Sequence, residues 1–217
     1  MKVFLTGSIR SGTTWLFSLL QTKISPSFLE RFDLFDLELR KKSLSQHDQF
    51  IFKINEDIRD LEKLHTYFPN AKVIVLLRHP IEVLHSIYKP NKQSVPYRPF
   101  NDIREKWSHP NDLSYLSAVI RRFESYYPTS TLNLIRRSPS WLKVMKYEDY
   151  LKNFDSCMQE LYGFLEIIYT PSNGLLGPQK TPNQSIRISN FTNDDQGMIN
   201  ESRVPEITKE LGYLMDS

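Results

Sequence analysis

Gly7-Ser8-Ile9-Arg10-Ser11-Gly12-Thr13-Thr14-Trp15 stands between the apolar run Val3-Phe4-Leu5 and the apolar positions Leu16, Phe17, Leu19 and Leu20. A strand, a tight loop and a helix, in that order, account for it. Two glycines bracket four residues, the spacing of the G-x-x-x-x-G-K-[ST] pattern in which backbone N–H groups at a helix N-terminus surround a phosphate. Thr13 holds the place of the lysine in that pattern, and the loop offers Arg10 instead. A nest of N–H groups without its lysine suits a phosphate-like anion other than the β/γ pair of a nucleoside triphosphate.

The pattern of strand followed by helix repeats downstream. Phe50-Ile51-Phe52-Lys53-Ile54 reads as a strand, and Ile58, Leu61, Leu64, His65 and Phe68 mark the helix after it. Lys72-Val73-Ile74-Val75-Leu76-Leu77 is continuously apolar after its first residue, as a central parallel strand buried on both faces should be. Pro80 opens a helix carrying Ile81, Leu84, His85 and Tyr88. Trp141 to Lys146 is a fourth strand, with Leu161, Phe164 and Leu165 on a later helix. Phe32, Phe35 and Leu39 predict a helix or turn within Phe28–Leu39, followed by a polar loop through Gln49. A loop at Lys89–Phe100, helices over 101–108 and 111–127, an irregular stretch over 169–190 and a closing helix near Pro205–Leu211 complete the reading. This alternation predicts an α/β fold, three-layer α/β/α with a mainly parallel central sheet. Such sheets bind ligands at the carboxyl ends of their strands.

Composition narrows the function classes. The 217 residues carry 28 Lys and Arg against 25 Asp and Glu, a formal net charge of +3. That excess is too small to indicate general nucleic-acid binding. With 40% hydrophobic and 24% charged residues the chain matches a folded globular protein, and its length suits a single domain over residues 1–217. One cysteine, Cys157, allows no intramolecular disulfide and fits a reducing compartment. Gly7 interrupts the apolar start, and no run approaches the ~20 apolar residues of a membrane helix. The expectation is a cytoplasmic protein without a membrane span.

Arg78 ends the most apolar strand, and Ser86 lies eight residues further on. P-loop NTPases use an acidic strand end to hold Mg²⁺. A basic fork with a hydroxyl two helical turns on suits a second phosphate instead.

These residues together resemble the sulfotransferases that use 3′-phosphoadenosine 5′-phosphosulfate (PAPS). Ser8 to Trp15 is similar to their 5′-phosphosulfate loop, P-[KR]-[ST]-G-T-[ST], with Ile9 where many members have proline. Val73 through Arg78-His79-Pro80 to Ser86 is similar to their 3′-phosphate motif, a strand, R-x-P, and a serine eight after the arginine. Met145-Lys146-Tyr147-Glu148-Asp149-Tyr150 resembles the late v-x-Y-E-D-L strand end, departing at Met145 and Tyr150. The resemblance covers about residues 1–166 and implies a P-loop NTPase-like fold, PAPS as co-substrate, 3′,5′-adenosine bisphosphate as product, and no metal.

It also implies roles. Arg10 and the loop N–H groups would stabilise charge on the bridging oxygen of the departing nucleotide. Ser11, Gly12, Thr13 and Thr14 would hold the 5′-phosphate, Trp15 would stack on adenine, and Arg78 and Ser86 would hold the 3′-phosphate. Lys180 and Arg187 are the nearest basic candidates for the rest of the nucleotide. Lys53 would reach the transferred group. Relatives draw their general base from a histidine after the second strand, where this chain has Asn55, or from a glutamate after the first helix. Glu30, about 20 residues beyond Arg10, is the first candidate, with Glu56 next and His47 third. The acceptor would be a hydroxyl or amine of a small molecule, glycan, lipid or peptide, in a pocket walled by Lys89–Phe100 and Phe28–Gln49. Two alternatives stand beside this reading: a P-loop nucleotide kinase, which Thr13 disfavours, and a non-catalytic nucleotide-binding relative.

Overall fold

A computed structural model of the chain describes residues 1–8, 10–30, 41–54, 61–88, 115–169 and 187–215. The expectations for Glu56, Lys180, the Lys89–Phe100 loop, the 101–108 helix and most of 169–190 lie outside the described residues, as do Phe32, Phe35 and Leu39. The strands are β1 (Lys2–Thr6), β2 (Ser27–Glu30), β3 (Phe50–Ile54), β4 (Ala71–Leu77) and β5 (Leu142–Lys146). The helices are α1 (Thr13–Leu20), α2 (Leu61–Tyr67), α3 (Pro80–Tyr88), α4 (Tyr115–Ser125), α5 (Thr129–Arg137), α6 (Tyr147–Lys152), α7 (Phe154–Leu165), α8 (Asn193–Asn200) and α9 (Val204–Glu210), and residues 41–45 are also helical.

Two compact units contain these elements, Met1–Arg78 with Tyr126–Gln184, and His79–Ser125 with Ser185–Ser217. The first unit holds the sheet, in the order β2-β3-β1-β4-β5 with every pairing parallel. Val3, Leu5, Ile51, Ile74 and Leu76 join Leu16 and Leu20 of α1 and Met158 and Leu161 of α7 in one buried cluster. On the opposite face Phe4 meets Phe50 at 5.4 Å and Phe68, just beyond α2, at 5.1 Å between ring centroids. Helices therefore cover both faces, which is why β1, β3 and β4 read as unbroken apolar runs and not as alternating ones. Each buried Val, Leu or Phe contributes about 1.5–3 kcal/mol relative to exposure.

From β1 the chain builds β2 and β3 on one side and then crosses to β4 and β5 on the other. The reversal falls at β1, and in open α/β sheets the crevice at such a switch point receives the ligand. The second unit is helical, with Leu84 of α3, Val119 and Phe123 of α4, Ile199 of α8 and Val204 and Ile207 of α9 among its buried residues. In it the Arg203 N–H donates to Glu124 Oε1 at 2.7 Å.

Several elements depart from the sequence reading. Ser27–Glu30 is an edge strand paired with β3, where a helix or turn was expected to begin at Phe28. Phe28 sets its ring 6.2 Å from Phe50, so packing against β3 decides its conformation over local periodicity. α5, α6 and α8 had no counterpart in the expected elements. α8 owes its start to capping: Thr192 Oγ1 accepts from the Asp195 N–H at 3.3 Å, with Asp194 and Asp195 in the positive first turn.

Candidate functional site

The loop leaves β1 at Thr6 and enters α1 at Thr13. Gly7 is required there by close approach, since a Cβ would come 2.4 Å from the Leu76 carbonyl oxygen of β4 and 2.6 Å from Ser11 Oγ. Gly7→Ala is expected to lower stability by about 1–3 kcal/mol, because a laddered carbonyl yields poorly to an inserted methyl. A urea midpoint equal to that of the parent protein would contradict this. Gly12 has φ +94, and a Cβ on it would lie 2.8 Å from the Tyr147 ring. Arg10 takes the left-handed region with φ 65, which costs a non-glycine residue about 1–2 kcal/mol. The turn is held from the side: Arg78 Nη1 donates to the Arg10 carbonyl at 3.1 Å.

Each strand flanking β1 sends a cation to the loop. Lys53, second to last in β3 and buried, donates from Nζ to Thr14 Oγ1 at 2.7 Å. Arg78 follows β4 directly and lays its guanidinium over the Tyr147 ring, 5.2 Å from the centroid. Such a cation–π contact is worth about 0.5–2 kcal/mol depending on desolvation. Tyr147 opens α6 at the carboxyl end of β5, so one ring touches both Gly12 and Arg78.

Beneath the loop, Tyr127 is fully buried. Burial pushes its phenol up to about 12, the adjacent Ser8 hydroxyl opposes that rise, and the Glu148 carboxylate adds to it. Ser11 Oγ is buried and has no hydrogen-bond partner among the described residues. Also among the described residues, the N–H groups of Thr13 and Thr14 have no acceptor, and the first turn of α1 holds no acidic side chain. These are the groups a helix start leaves unsatisfied and that an anion can satisfy.

The structure thus gathers Arg10, Ser11, Gly12, Thr13, Thr14, Lys53 and Arg78 at the carboxyl ends of β1, β3 and β4. Trp15 is half-buried, with edge-on contacts to Tyr150 at 5.6 Å and Phe154 at 5.9 Å. The backbone of Glu30 ends β2 in register with Ile54, one residue beyond the Leu29–Lys53 pair. His47 is at the other end of the strands. It precedes β3, one residue before Asp48, whose carbonyl accepts from the Met1 amino group at 2.9 Å, and its ring lies 5.5 Å from Phe28. Ser86 is half-buried on α3 and Arg187 is exposed ahead of a 3₁₀ turn at Ile188–Asn190, both in the second unit. Tyr147 and Tyr127 were not among the expected site residues. The motif around Tyr147 could have identified the first, whereas nothing in the local sequence marks the second.

A parallel sheet with a glycine-bracketed loop at its switch point and a cation on each side is an α/β architecture with a candidate anion site. The family model described as the sulfotransferase domain matches residues 1–205, and the chain belongs to that family. It is accordingly an enzyme that transfers sulfuryl groups. A search of curated proteins by sequence finds no match. Among solved structures, the chain is similar to mouse sulfotransferase SULT7A1 complexed with PAP, with 16% identity and a TM-score of 0.53 over 96% of this chain and 88% of that one. It is also similar to the sulfotransferase domain from the curacin biosynthetic pathway, at 15% identity and TM-score 0.55 over 99% and 98% of the two chains. The sulfotransferase domain of the Synechococcus PCC 7002 olefin synthase matches at 14% identity and TM-score 0.51 over 100% and 96%. At these identities the likeness concerns the fold. Among the described residues no helix is long and apolar enough to cross a membrane, and no group of three or more His, Cys, Asp or Glu is arranged to hold a metal ion.

Proposed function

We propose that residues 1–217 act as one sulfotransferase-like domain that moves the sulfuryl group of PAPS to a hydroxyl or amine of an acceptor and releases 3′,5′-adenosine bisphosphate. One observation carries the choice of donor: the loop that lacks a lysine is tied at Arg10 to Arg78, the cation that the sequence assigns to a second phosphate. The residues present fit a phosphosulfate. Ser11 Oγ is buried without a partner, and the first-turn N–H groups of Thr13 and Thr14 have no acceptor among the described residues. The family excludes the kinase alternative. The PAP in the mouse relative's crystal supports the same donor.

In this reading Ser11, Gly12, Thr13 and Thr14 bind the 5′-phosphate and Arg78 binds the 3′-phosphate. Ser86, Trp15, Lys180 and Arg187 keep their nucleotide roles on sequence grounds. The acceptor oxygen or nitrogen forms a bond to sulfur as the bond from sulfur to the bridging oxygen breaks. The electron pair leaves with the nucleotide phosphate, and Arg10 with the loop N–H groups stabilises the charge that develops there. Lys53, beside Thr14, carries its charge to the transferred group. The acceptor proton goes to a carboxylate, for which Glu30 at the carboxyl end of β2 is the first assignment and Glu56 the second. Cys157 as a free thiol is compatible with a cytoplasmic, reducing setting.

A ligand titration tests the donor. At ten times its Kd, 3′,5′-adenosine bisphosphate without metal is expected to stabilise the protein by about 1.4 kcal/mol, raising Tm by about 3–6 °C. Stabilisation by ATP with Mg²⁺ alone would exclude this donor. Transfer of labelled sulfate from PAPS to a panel of phenols, sugars, lipids and peptides then separates an active enzyme from a relative that only binds.

A further inference from the structure

We infer that Arg78 couples the two phosphate subsites, so that the 3′-phosphate of the donor rigidifies the loop that handles the transferred group. The inference rests on the donor proposed above. Its physical basis is the bond from Arg78 Nη1 to the carbonyl of Arg10, a residue whose φ of 65 is sustained only by its surroundings. The same guanidinium lies on the Tyr147 ring, and that ring also closes against Gly12, itself left-handed with φ +94. Arg78 and Tyr147 therefore grip the loop at Arg10 and Gly12, two left-handed positions among its described residues.

A guanidinium has five N–H donors in a planar fork, so one group can serve a backbone carbonyl and a phosphate together. An anion that fixes Arg78 also fixes its bond to Arg10. Departure of Arg10 from the left-handed region then requires breaking a charge-assisted hydrogen bond whose donor can no longer follow. Linkage makes the effect reciprocal: ordering the loop favours binding of the 3′-phosphate. The 3′-phosphate thus acts on the geometry of transfer as well as on affinity, with Arg78 as a positioning residue for Arg10.

Backbone hydrogen exchange of residues 7–15 at saturating ligand tests this, comparing 3′,5′-adenosine bisphosphate with adenosine 5′-monophosphate. Both ligands present a 5′-phosphate to the loop, but only the first carries a group for Arg78. In the parent protein the bisphosphate is expected to slow loop exchange about fivefold or more beyond the monophosphate, the lower range of typical coupling. In Arg78→Met the two ligands should protect the loop equally. Equal protection in the parent protein would overturn the coupling while leaving the donor intact. An unchanged difference in Arg78→Met would overturn Arg78 as its agent. If neither ligand binds, both the donor and the coupling fail.

Discussion

Replacing Arg10 by alanine is expected to lower the rate of sulfuryl transfer from PAPS by about 10² to 10³, the typical cost of removing one donor aimed at developing negative charge. Arg10 is exposed, and its backbone carbonyl accepts from Arg78. Alanine keeps that carbonyl and remains a non-glycine residue in the left-handed region, so the backbone tie to Arg78 persists when the charge is removed. The loss should therefore appear in kcat. Arg10→Lys should recover part of the rate, because a point charge replaces the fork but not its geometry. Single-turnover release of 3′,5′-adenosine bisphosphate from PAPS measures the effect. Near-parental release by Arg10→Ala would remove Arg10 from the mechanism.

The second large effect is a loss of stability in alkali traced to one buried phenol. An unfolded tyrosine ionises near pH 10, whereas burial holds the Tyr127 proton to about pH 12. Between those values the unfolded chain has released a proton that the native protein still binds, so stability falls as pH rises. The contribution is fully present below pH 10 and gone above about pH 12. The slope is about 1.4 kcal/mol per pH unit, or about 2.7 kcal/mol across the interval. Tyr150, raised still further by burial, loses stability in the same direction. Urea unfolding at successive pH values from 9 to 12 should therefore show the decline, and Tyr127→Phe should remove one group's share of it. An unaltered slope in Tyr127→Phe would show that this phenol ionises as readily in the native state as in the unfolded one.

The sheet was legible wherever a strand is buried on both faces. β1, β3 and β4 declare themselves by apolar runs, β5 by Leu142, Val144 and Met145 between its lysines, and the loop after β1 is marked by its two glycines. β2 was not legible, because four residues at an edge carry too short a pattern and their conformation follows from pairing with β3. α8 contains Gly197 and five polar residues in its eight positions, so capping by Thr192 decides what periodicity could not. In the site, Arg10, Lys53 and Arg78 could be located from strand ends alone. Tyr127 lies far downstream in a connection between two helices, and its position under Ser8 is a tertiary fact with no local signal. The division into two units was equally hidden, since the boundary after Arg78 falls inside one uninterrupted motif.

The strand order β2-β3-β1-β4-β5 has an evolutionary corollary. Lys53 and the end of β2 stand on one flank of the loop, Arg78 and Tyr147 on the other, with β1 between them. Under the proposed assignment, Lys53 and Glu30 serve the transferred group and the acceptor from one flank, while Arg78 grips the nucleotide from the other. Mutational drift in the segment from β2 to β3 can then redirect the enzyme to new acceptors while the donor grip is inherited intact. Such a lineage would diversify by rewriting one shoulder of its sheet.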